Sequence, residues 1–168
     1  MRLVTLLSLG LLLVACGGES DTASKLPDPV PMTEDAVSFY CQMNVLEHPG
    51  PKAQIHIEGM LAPMFFAQVR DAVAFLKSEE RPGDVLVTYV SDMSKADSWE
   101  EPGIENWISA DEAMFVVGSN QSGGMGAPEV VPFSSKASAT AFAQMNGGEV
   151  VPLTEIPADA VLGSVTLF

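Results

Sequence analysis

The sequence predicts an α+β domain built from two similar halves, because it combines an internal repeat, two helical segments and several short β-rich runs. Sliding the chain against itself by 65 residues aligns residues 60–63 (MLAP) with residues 125–128 (MGAP). The same offset, without a gap, pairs residues 83–86 (GDVL) with residues 148–151 (GEVV). We infer a duplicated unit of strands, helix and strand, in which two helices cover two sheets or one continuous sheet.

The first half opens with two strand-like runs separated by a turn. Residues 37–45 (VSFYCQMNV) are rich in aromatic and β-branched side chains and predict a short extended segment. Residues 46–51 (LEHPGP) then predict a turn. Polar and apolar residues alternate over residues 54–58 (QIHIE), which predicts a half-buried strand with both isoleucines inward and His56 outward.

From residue 65 the apolar residues recur at helical intervals, and they predict an amphipathic helix that ends at residues 80–83 (ERPG). The positions that carry this pattern are Phe65, Val69, Val73 and Leu76. Residues 84–90 (DVLVTYV) predict the next strand, because the run is β-rich and bounded by turn residues.

A polar, acid-rich connection over residues 91–112 joins the halves and contains Trp99 and Trp107. Connections of this length inside a compact domain are often functional. We expect both tryptophans to pack inward as anchors, and an exposed partner-binding edge is the alternative.

The second half repeats the order of the first. The expected elements are a strand at 113–117 (AMFVV), a glycine-rich loop at 118–126, a strand at 129–133 (EVVPF), a helix capped by Ser134 or Ser135 and ended by residues 146–148 (NGG), a strand at 149–153, and a short helix and a last strand within 156–168. The glycine-rich loop lacks the lysine and the spacing of a phosphate-binding loop.

The N-terminus predicts a secreted, lipid-anchored protein. Arg2 is followed by an uncharged apolar run that is too short to span a bilayer as a stable helix. Residues 13–17 (LVACG) resemble a bacterial lipobox, in which Cys16 becomes the lipidated first residue. Gly17, in place of an aspartate after the lipidated cysteine, favours the outer membrane, with the protein on the periplasmic side.

Cleavage before Cys16 divides the chain into a signal, a tether and a folded domain. The tether is expected to be flexible because it is rich in Gly, Ser, Pro and acidic residues. The expected bounds are residues 1–15 for the signal, 16–35 for the lipidated cysteine and tether, and 36–168 for the domain, with halves at about 36–92 and 112–168.

The charge excludes more functions than it identifies. The chain has 22 acidic and 8 basic residues, and its formal net charge is −14. A surface this acidic repels phosphate backbones, which argues against nucleic acid as a partner. It suits cations or a basic docking surface, although acidity is also a common solubility device.

The second cysteine predicts a metal site. If Cys16 carries lipid, Cys41 has no partner within the chain, and an unpaired thiol in an oxidising compartment is liable to oxidation. Met43 lies two residues on, so in an extended segment both sulfur atoms project from the same face. Soft sulfur ligands select Cu(I), so the pair predicts a Cu(I) site; ordinary core packing is the alternative.

The chain resembles the NosL family of copper-accessory lipoproteins of nitrous oxide reductase. Besides the lipobox, four segments carry the resemblance, and together they extend over most of the chain after the signal: FYCQMNVLEHPGPKAQI (39–55), VTYVSDMS (87–94), SGGMGAPEVVPF (122–133) and AFAQMNGGEVV (141–151). The resemblance implies a Cu(I) chaperone for the multicopper sites of nitrous oxide reductase, with an ABC-type complex (NosD, NosF and NosY) as docking partner. It also implies two ββαβ halves akin to organomercury lyase.

The resemblance also implies which residues bind the ion. Cys41 and Met43 match the Cys-x-Met copper motif of the family, and Met125 matches the methionine of its Met-Gly segment and is the first choice for a third ligand. His48 and His56 are the rivals for that position. Whether two chains share one ion as a homodimer stays open.

Two other functions are weighed against a chaperone. A single-thiol reductase or a carbon–mercury lyase would need a Cys-x-x-Cys motif or a further thiol, and the chain has neither, so no enzymatic activity is expected. A metal-free scaffold lipoprotein that docks a partner through the acidic connection is the remaining alternative. A copper titration of a Cys41 variant separates the scaffold from the chaperone.

Overall fold

The computed structural model describes residues 25–164, which form two antiparallel sheets and three helices. The first sheet has the order β2-β1-β3-β4, with β1 at Ala53–Ile57, β2 at Met64–Phe66, β3 at Val85–Ser91 and β4 at Trp107–Ser109. The second sheet has the order β6-β5-β7, with β5 at Met114–Val117, β6 at Val131–Phe133 and β7 at Glu149–Pro152. The helices are α1 at Val69–Lys77, α2 at Lys136–Asn146 and α3 at Ala158–Leu162.

The predicted α+β duplication is confirmed by the topology. Each half runs strand, strand, helix, strand, and in each half the first strand is central, with its hairpin partner on one side and the strand after the helix on the other. Strand β4 extends the first sheet, and α3 follows the second unit. Within residues 25–164 no helix is long and apolar enough to cross a membrane.

One hydrophobic core joins the halves. Helix α1 contributes Val69, Val73 and Phe75 to it, and the second half contributes Phe115 from the opposing sheet. The neighbouring Val116 points to the other face of that sheet and packs in a smaller cluster that includes Ala139 of α2. Helix α1 is therefore buried between the halves, whereas α2 lies on the surface.

One predicted boundary is wrong, and one strand was missed. The apolar spacing places Phe65 in a helix, but Phe65 pairs with Gln54 in the β1–β2 hairpin, and α1 begins four residues later at Val69. Strand β4 was also not predicted; it pairs Trp107 with Ser91 at the end of the connection. Both errors arise because cross-strand pairing is a long-range contact that local periodicity does not record.

The segment predicted as a flexible tether is ordered against the domain from Pro27 onward. Its Val30 backbone bonds both ways with the Gln54 amide, at 3.0 Å for the N–H and 2.9 Å for the carbonyl. Met32 donates its N–H to Ile104 and is only 2% exposed. The Tyr89 hydroxyl donates to the Pro27 carbonyl at 2.8 Å. The composition is that of a linker, but specific side chains of the sheet bind its backbone.

The docked segment also explains the burial of β1 on both faces. Ile55 and Ile57 face the core as predicted, and Ala53 joins them. Gln54 and His56 lie on the other face, where the N-terminal segment packs. His56 is therefore buried, at 9% exposure, and the expectation of a solvated histidine is wrong.

The predicted signal, the lipidated Cys16 and the expected last strand at the C-terminus fall wholly or largely outside the described residues. The two tryptophans lie within them, and each is half-buried against a core cluster. The expectation that they serve as anchors is confirmed.

Candidate metal centre

Cys41 lies at the tip of a short hairpin. Val37 pairs with Asn44, the Ser38 N–H donates to the Met43 carbonyl at 2.9 Å, and the Gln42 N–H donates to the Ser38 carbonyl at 2.9 Å. The expectation of an extended strand over residues 37–45 is wrong, because the chain reverses within it. Gln42 takes a left-handed conformation with φ +58°, and its side-chain amide donates to the Ser38 and Phe39 carbonyls, which offsets the cost of this conformation.

The two sulfur residues differ in exposure. Cys41 is half-buried and packs against a cluster that includes Val45 and Ala67, and it forms no disulfide within residues 25–164. Met43 is 39% exposed. The hairpin therefore presents one sheltered thiol and one solvent-facing thioether.

The hairpin is fixed to the domain by hydrogen bonds and aromatic packing. The Phe39 N–H donates to the Phe65 carbonyl at 2.7 Å, and the Ser38 hydroxyl accepts from the Ala67 N–H at 3.3 Å. The Tyr40 ring meets Phe66 edge-on with centroids 5.5 Å apart. These contacts hold the thiol on the rigid end of the β1–β2 hairpin.

Met125 is held at the same end of the domain. Its N–H donates to the Gln68 Oε1 at 3.0 Å, and Gln68 directly follows Ala67, which bonds the Cys41 hairpin. The loop around it is closed by the Gly123 N–H, which donates to the Ala127 carbonyl at 2.8 Å. Met125 is 38% exposed, so its thioether is accessible to an ion on the surface.

Met60 occupies the equivalent loop of the first half but lies elsewhere. Both residues follow the first strand of their unit, as the repeat predicts. The Met60 loop closes the β1–β2 hairpin at the end opposite Ala67, and β1 spans roughly 13 Å between these ends. The Met60 loop therefore lies away from the Cys41 hairpin, and Met60 is 47% exposed.

His48 lies beside the Met125 loop. A side chain at Gly124 would bring its Cβ to 2.5 Å from the His48 Cβ, so the glycine backbone packs directly on the histidine. The His48 Nε2 is buried and has no hydrogen-bond partner. This unpartnered nitrogen makes His48 a nearby donor, and position alone does not rank it below Met125.

His56 is committed to other contacts. Its Nε2 lies 3.1 Å from the Gln54 Oε1, which also accepts from the Val30 N–H, so this nitrogen is engaged with an amide oxygen and Nδ1 is the ring nitrogen left as a possible metal donor. The ring packs edge-on against Tyr89 with centroids 5.9 Å apart, and burial lowers the pKa of the imidazole. These contacts make His56 a weaker candidate for the third ligand than His48, whose Nε2 has no hydrogen-bond partner.

Two buried ionisable residues lie near the loops, and no sequence motif marked them. Burial lowers the pKa of Lys52 to about 8, and its ammonium donates to the carbonyls of Pro49 and Gly50 beside His48. Burial raises the pKa of Glu129 to about 8, and its Oε1 accepts the N–H groups of Arg70 and Val130 at 2.8 and 2.9 Å. Nothing in the sequence separates Lys52 and Glu129 from the other charged residues that lie close to glycines, and their burial is visible only in the structure.

The assembled donors favour a soft ion. One thiol, two thioethers and one unpartnered imidazole nitrogen lie on connected loops at one end of the domain. Within residues 25–164 no group of three or more His, Cys, Asp or Glu side chains is placed to hold a metal. The methionine sulfurs are the further donors at this end of the domain. Thiolate and thioether donors select Cu(I) over hard divalent ions.

Comparisons with known proteins agree with this chemistry. The NosL family model matches residues 29–161. The chain is 49% identical over 166 residues to the copper-binding lipoprotein NosL of Achromobacter cycloclastes, covering 98% of this chain and 84% of the relative. It is 32% identical over 154 residues to the copper-binding lipoprotein NosL of Stutzerimonas stutzeri, covering 92% and 77%. The crystal structure of the copper chaperone NosL from Shewanella denitrificans superposes with a TM-score of 0.72 at 33% identity, over 77% of this chain and 95% of that one.

Proposed function

The chain belongs to the NosL family, and we propose that it is a Cu(I)-binding metallochaperone that delivers copper for the maturation of nitrous oxide reductase. The observation that carries the proposal is the convergence of the Cys41 hairpin and the Met125 loop on residues 67 and 68. The relatives described as copper-binding lipoproteins and as a copper chaperone support copper as the cargo.

The exposure of the ligands fits transfer better than storage. Cys41 is sheltered and would hold the ion, while Met43 and Met125 are 39% and 38% exposed. Two or three soft ligands leave room for an incoming thiolate or imidazole of the acceptor to attack the ion. No bond of a substrate has to be made or broken, so the proposal requires no catalytic residue.

The location follows from the N-terminal motif. Lipid on Cys16 would place the domain on the periplasmic side of a membrane, and Gly17 favours the outer membrane. The relatives described as lipoproteins support lipid anchoring in the cell envelope. The chain contacts the domain from Pro27, whose carbonyl accepts from the Tyr89 hydroxyl at 2.8 Å.

The proposed docking partner is the ABC-type NosDFY complex, which would pass copper towards nitrous oxide reductase. One surface feature also favours the scaffold alternative. Asp97, Glu100 and Glu101 line a cavity of about 330 Å³ together with His48. A basic partner could bind there without any metal, so the decision between the two functions depends on copper.

A competition titration tests the proposal. Residues 17–168 as a soluble protein should take one Cu(I) per chain from a chromophoric chelator under anaerobic conditions, because the ligands lie on one chain. Half an equivalent would indicate a copper-bridged homodimer. Failure to compete at any chelator concentration would leave the scaffold function in place.

A further inference from the structure

Gln68 lies at the N-cap of α1, but its side chain does not cap the helix. It is the residue before Val69 and is 3% exposed. The N–H of Arg70, in the first turn, is instead satisfied by Glu129 Oε1 of the other half at 2.8 Å. Glu129 therefore takes over the capping role and leaves the Gln68 amide available for another contact.

The released amide binds the Met125 loop. Gln68 Oε1 accepts the Met125 N–H at 3.0 Å, and Gln68 Nε2 donates to Asp71 Oδ2 at 3.1 Å. The bond to Asp71 fixes the orientation of the amide, so that the oxygen and not the nitrogen faces Met125. A buried amide with both ends bonded holds its partner in one geometry.

A continuous path of bonds connects the two methionines. The Met43 carbonyl accepts from the Ser38 N–H, the Ser38 hydroxyl accepts from the Ala67 N–H, and the adjacent Gln68 accepts from the Met125 N–H. The distances along the path are 2.9, 3.3 and 3.0 Å. The hydrogen bond of Gln68 to Met125 is the one in this path that joins the second half to the half that carries Cys41.

The loop can reach Gln68 only because it is built from glycine. A Cβ on Gly123 would lie 2.5 Å from both Gln68 Oε1 and Glu129 Oε2. A Cβ on Gly124 would lie 2.5 Å from the His48 Cβ and 3.0 Å from the Pro49 carbonyl oxygen. The loop is thus seated between Gln68 and Glu129 on one side and His48 and Pro49 on the other.

We propose that Gln68 is a positioning residue that holds Met125 at the copper site. This inference rests on the proposed function, because it assigns Gln68 a role in binding the same ion. Gln68 does not touch the metal; it fixes the backbone from which the Met125 thioether extends. Partners that orient metal ligands in this way typically contribute roughly 10–100-fold in affinity.

A double-mutant cycle in the soluble protein tests the role. Gln68→Leu is expected to weaken Cu(I) binding roughly tenfold or more, and Met125→Ala to weaken it at least as much. The double variant should bind no more weakly than Met125→Ala, because the amide acts only through that methionine. Gln68→Glu keeps an acceptor oxygen and should recover part of the affinity, although it adds a charge beside Asp71 and Glu129.

The controls separate positioning from general structural damage. Gln121 lies at the start of the same loop, and its part-buried side-chain amide donates to the Asn146 Oδ1. Gln121→Leu removes this bond and should leave the copper affinity unchanged. Met60→Ala removes an exposed methionine from the equivalent loop and should also be silent. If Gln68→Leu does not fold, Gly123→Ala displaces the loop from the same contact and should produce the same loss.

The outcomes distinguish the two proposals. Additive losses in the double variant, or full affinity in Gln68→Leu when Met125→Ala is weakened, would overturn the positioning role and leave copper binding intact. Unchanged copper affinity in Met125→Ala would also overturn the positioning role, because Met125 would then not be a ligand for Gln68 to position. A parent protein that takes no Cu(I) would instead refute the proposed function.

Discussion

Cys41→Ala is expected to weaken Cu(I) binding by more than about a hundredfold, beyond the range of losses caused by removing residues that only orient a ligand. Cys41 provides the single thiol among residues 25–164, and thioethers are neutral donors that cannot replace the charge of a thiolate. Met43 and Met125 would remain, but their flexible, exposed side chains do not fix an ion on their own.

The fold should survive this change, which makes the measurement interpretable. Cys41 is half-buried at a turn, and the hairpin keeps its bonds from Phe39 and Ser38 to residues 65 and 67. Cys41→Ser is the closest variant in size and should lose copper as completely. Competition with a chromophoric chelator gives the affinity, with Met60→Ala as the sulfur control. Parent-like affinity in both Cys41 variants would exclude the thiol as a ligand.

Asp92→Ala is expected to lower the free energy of unfolding by roughly 2–3 kcal/mol at neutral pH. Asp92 is fully buried where the chain leaves β3, and its Oδ1 accepts the N–H groups of Ser94 and Ser134 at 3.0 and 2.9 Å. The backbone carbonyl of Asp92, which an alanine would keep, accepts from the Asn106 side-chain amide at 2.8 Å. Alanine would leave two part-buried N–H groups, those of Ser94 and Ser134, without their acceptor at the junction of the halves.

The same residue should make stability depend on acid. Burial would raise the pKa of Asp92, but hydrogen bonds from Ser134, Lys95 and Ser94 outweigh it and lower the pKa to about 2. The Lys95 ammonium lies 3.1 Å from Oδ2 and is largely exposed, so solvent screens its part of the effect. Because the folded state binds the proton more weakly, the stabilisation is present above about pH 4 and is lost as the pH falls towards 2.

Urea unfolding at pH 7 and at pH 3 measures both effects. The parent should lose stability between these pH values, and Asp92→Asn should lose less, because it keeps an acceptor but cannot ionise. Asp97→Asn, at an exposed position five residues away, should match the parent at both. An Asp92→Ala variant as stable as the parent at pH 7 would show that the carboxylate does not hold the halves together.

The strands and helices of the repeat were predictable because each of them leaves a local signal in the sequence. The alternation around Ile55 and the β-rich run before Ser91 reflect the burial of single strands, and Gly147, with φ +75°, ends α2 where the sequence places the stop. The order of strands and helix therefore follows from the residues. The segment near Met32 was not predictable, because only the distant Gln54 and Ile104 reveal that it is bound.

The site was predictable in part for a similar reason. Cys41 and Met43 form a local motif and lie on one hairpin, although the chain reverses there and does not run extended. Met125 was reached through the repeat and the family resemblance. Gln68 left no signal, since a glutamine before a helix has no single expected partner and its contact lies 57 residues away. The unpartnered nitrogen of His48 is likewise visible only in three dimensions.

X-ray absorption at the copper edge of the Cu(I)-loaded protein tests the central claim most directly. A site of Cys41, Met43 and Met125 predicts a first shell of sulfur alone, and this shell should lose one scatterer in Met125→Ala and none in Met60→Ala. Imidazole scattering that disappears in His48→Ala, with a spectrum unchanged in Met125→Ala, would contradict the assignment of Met125 and make His48 the third ligand.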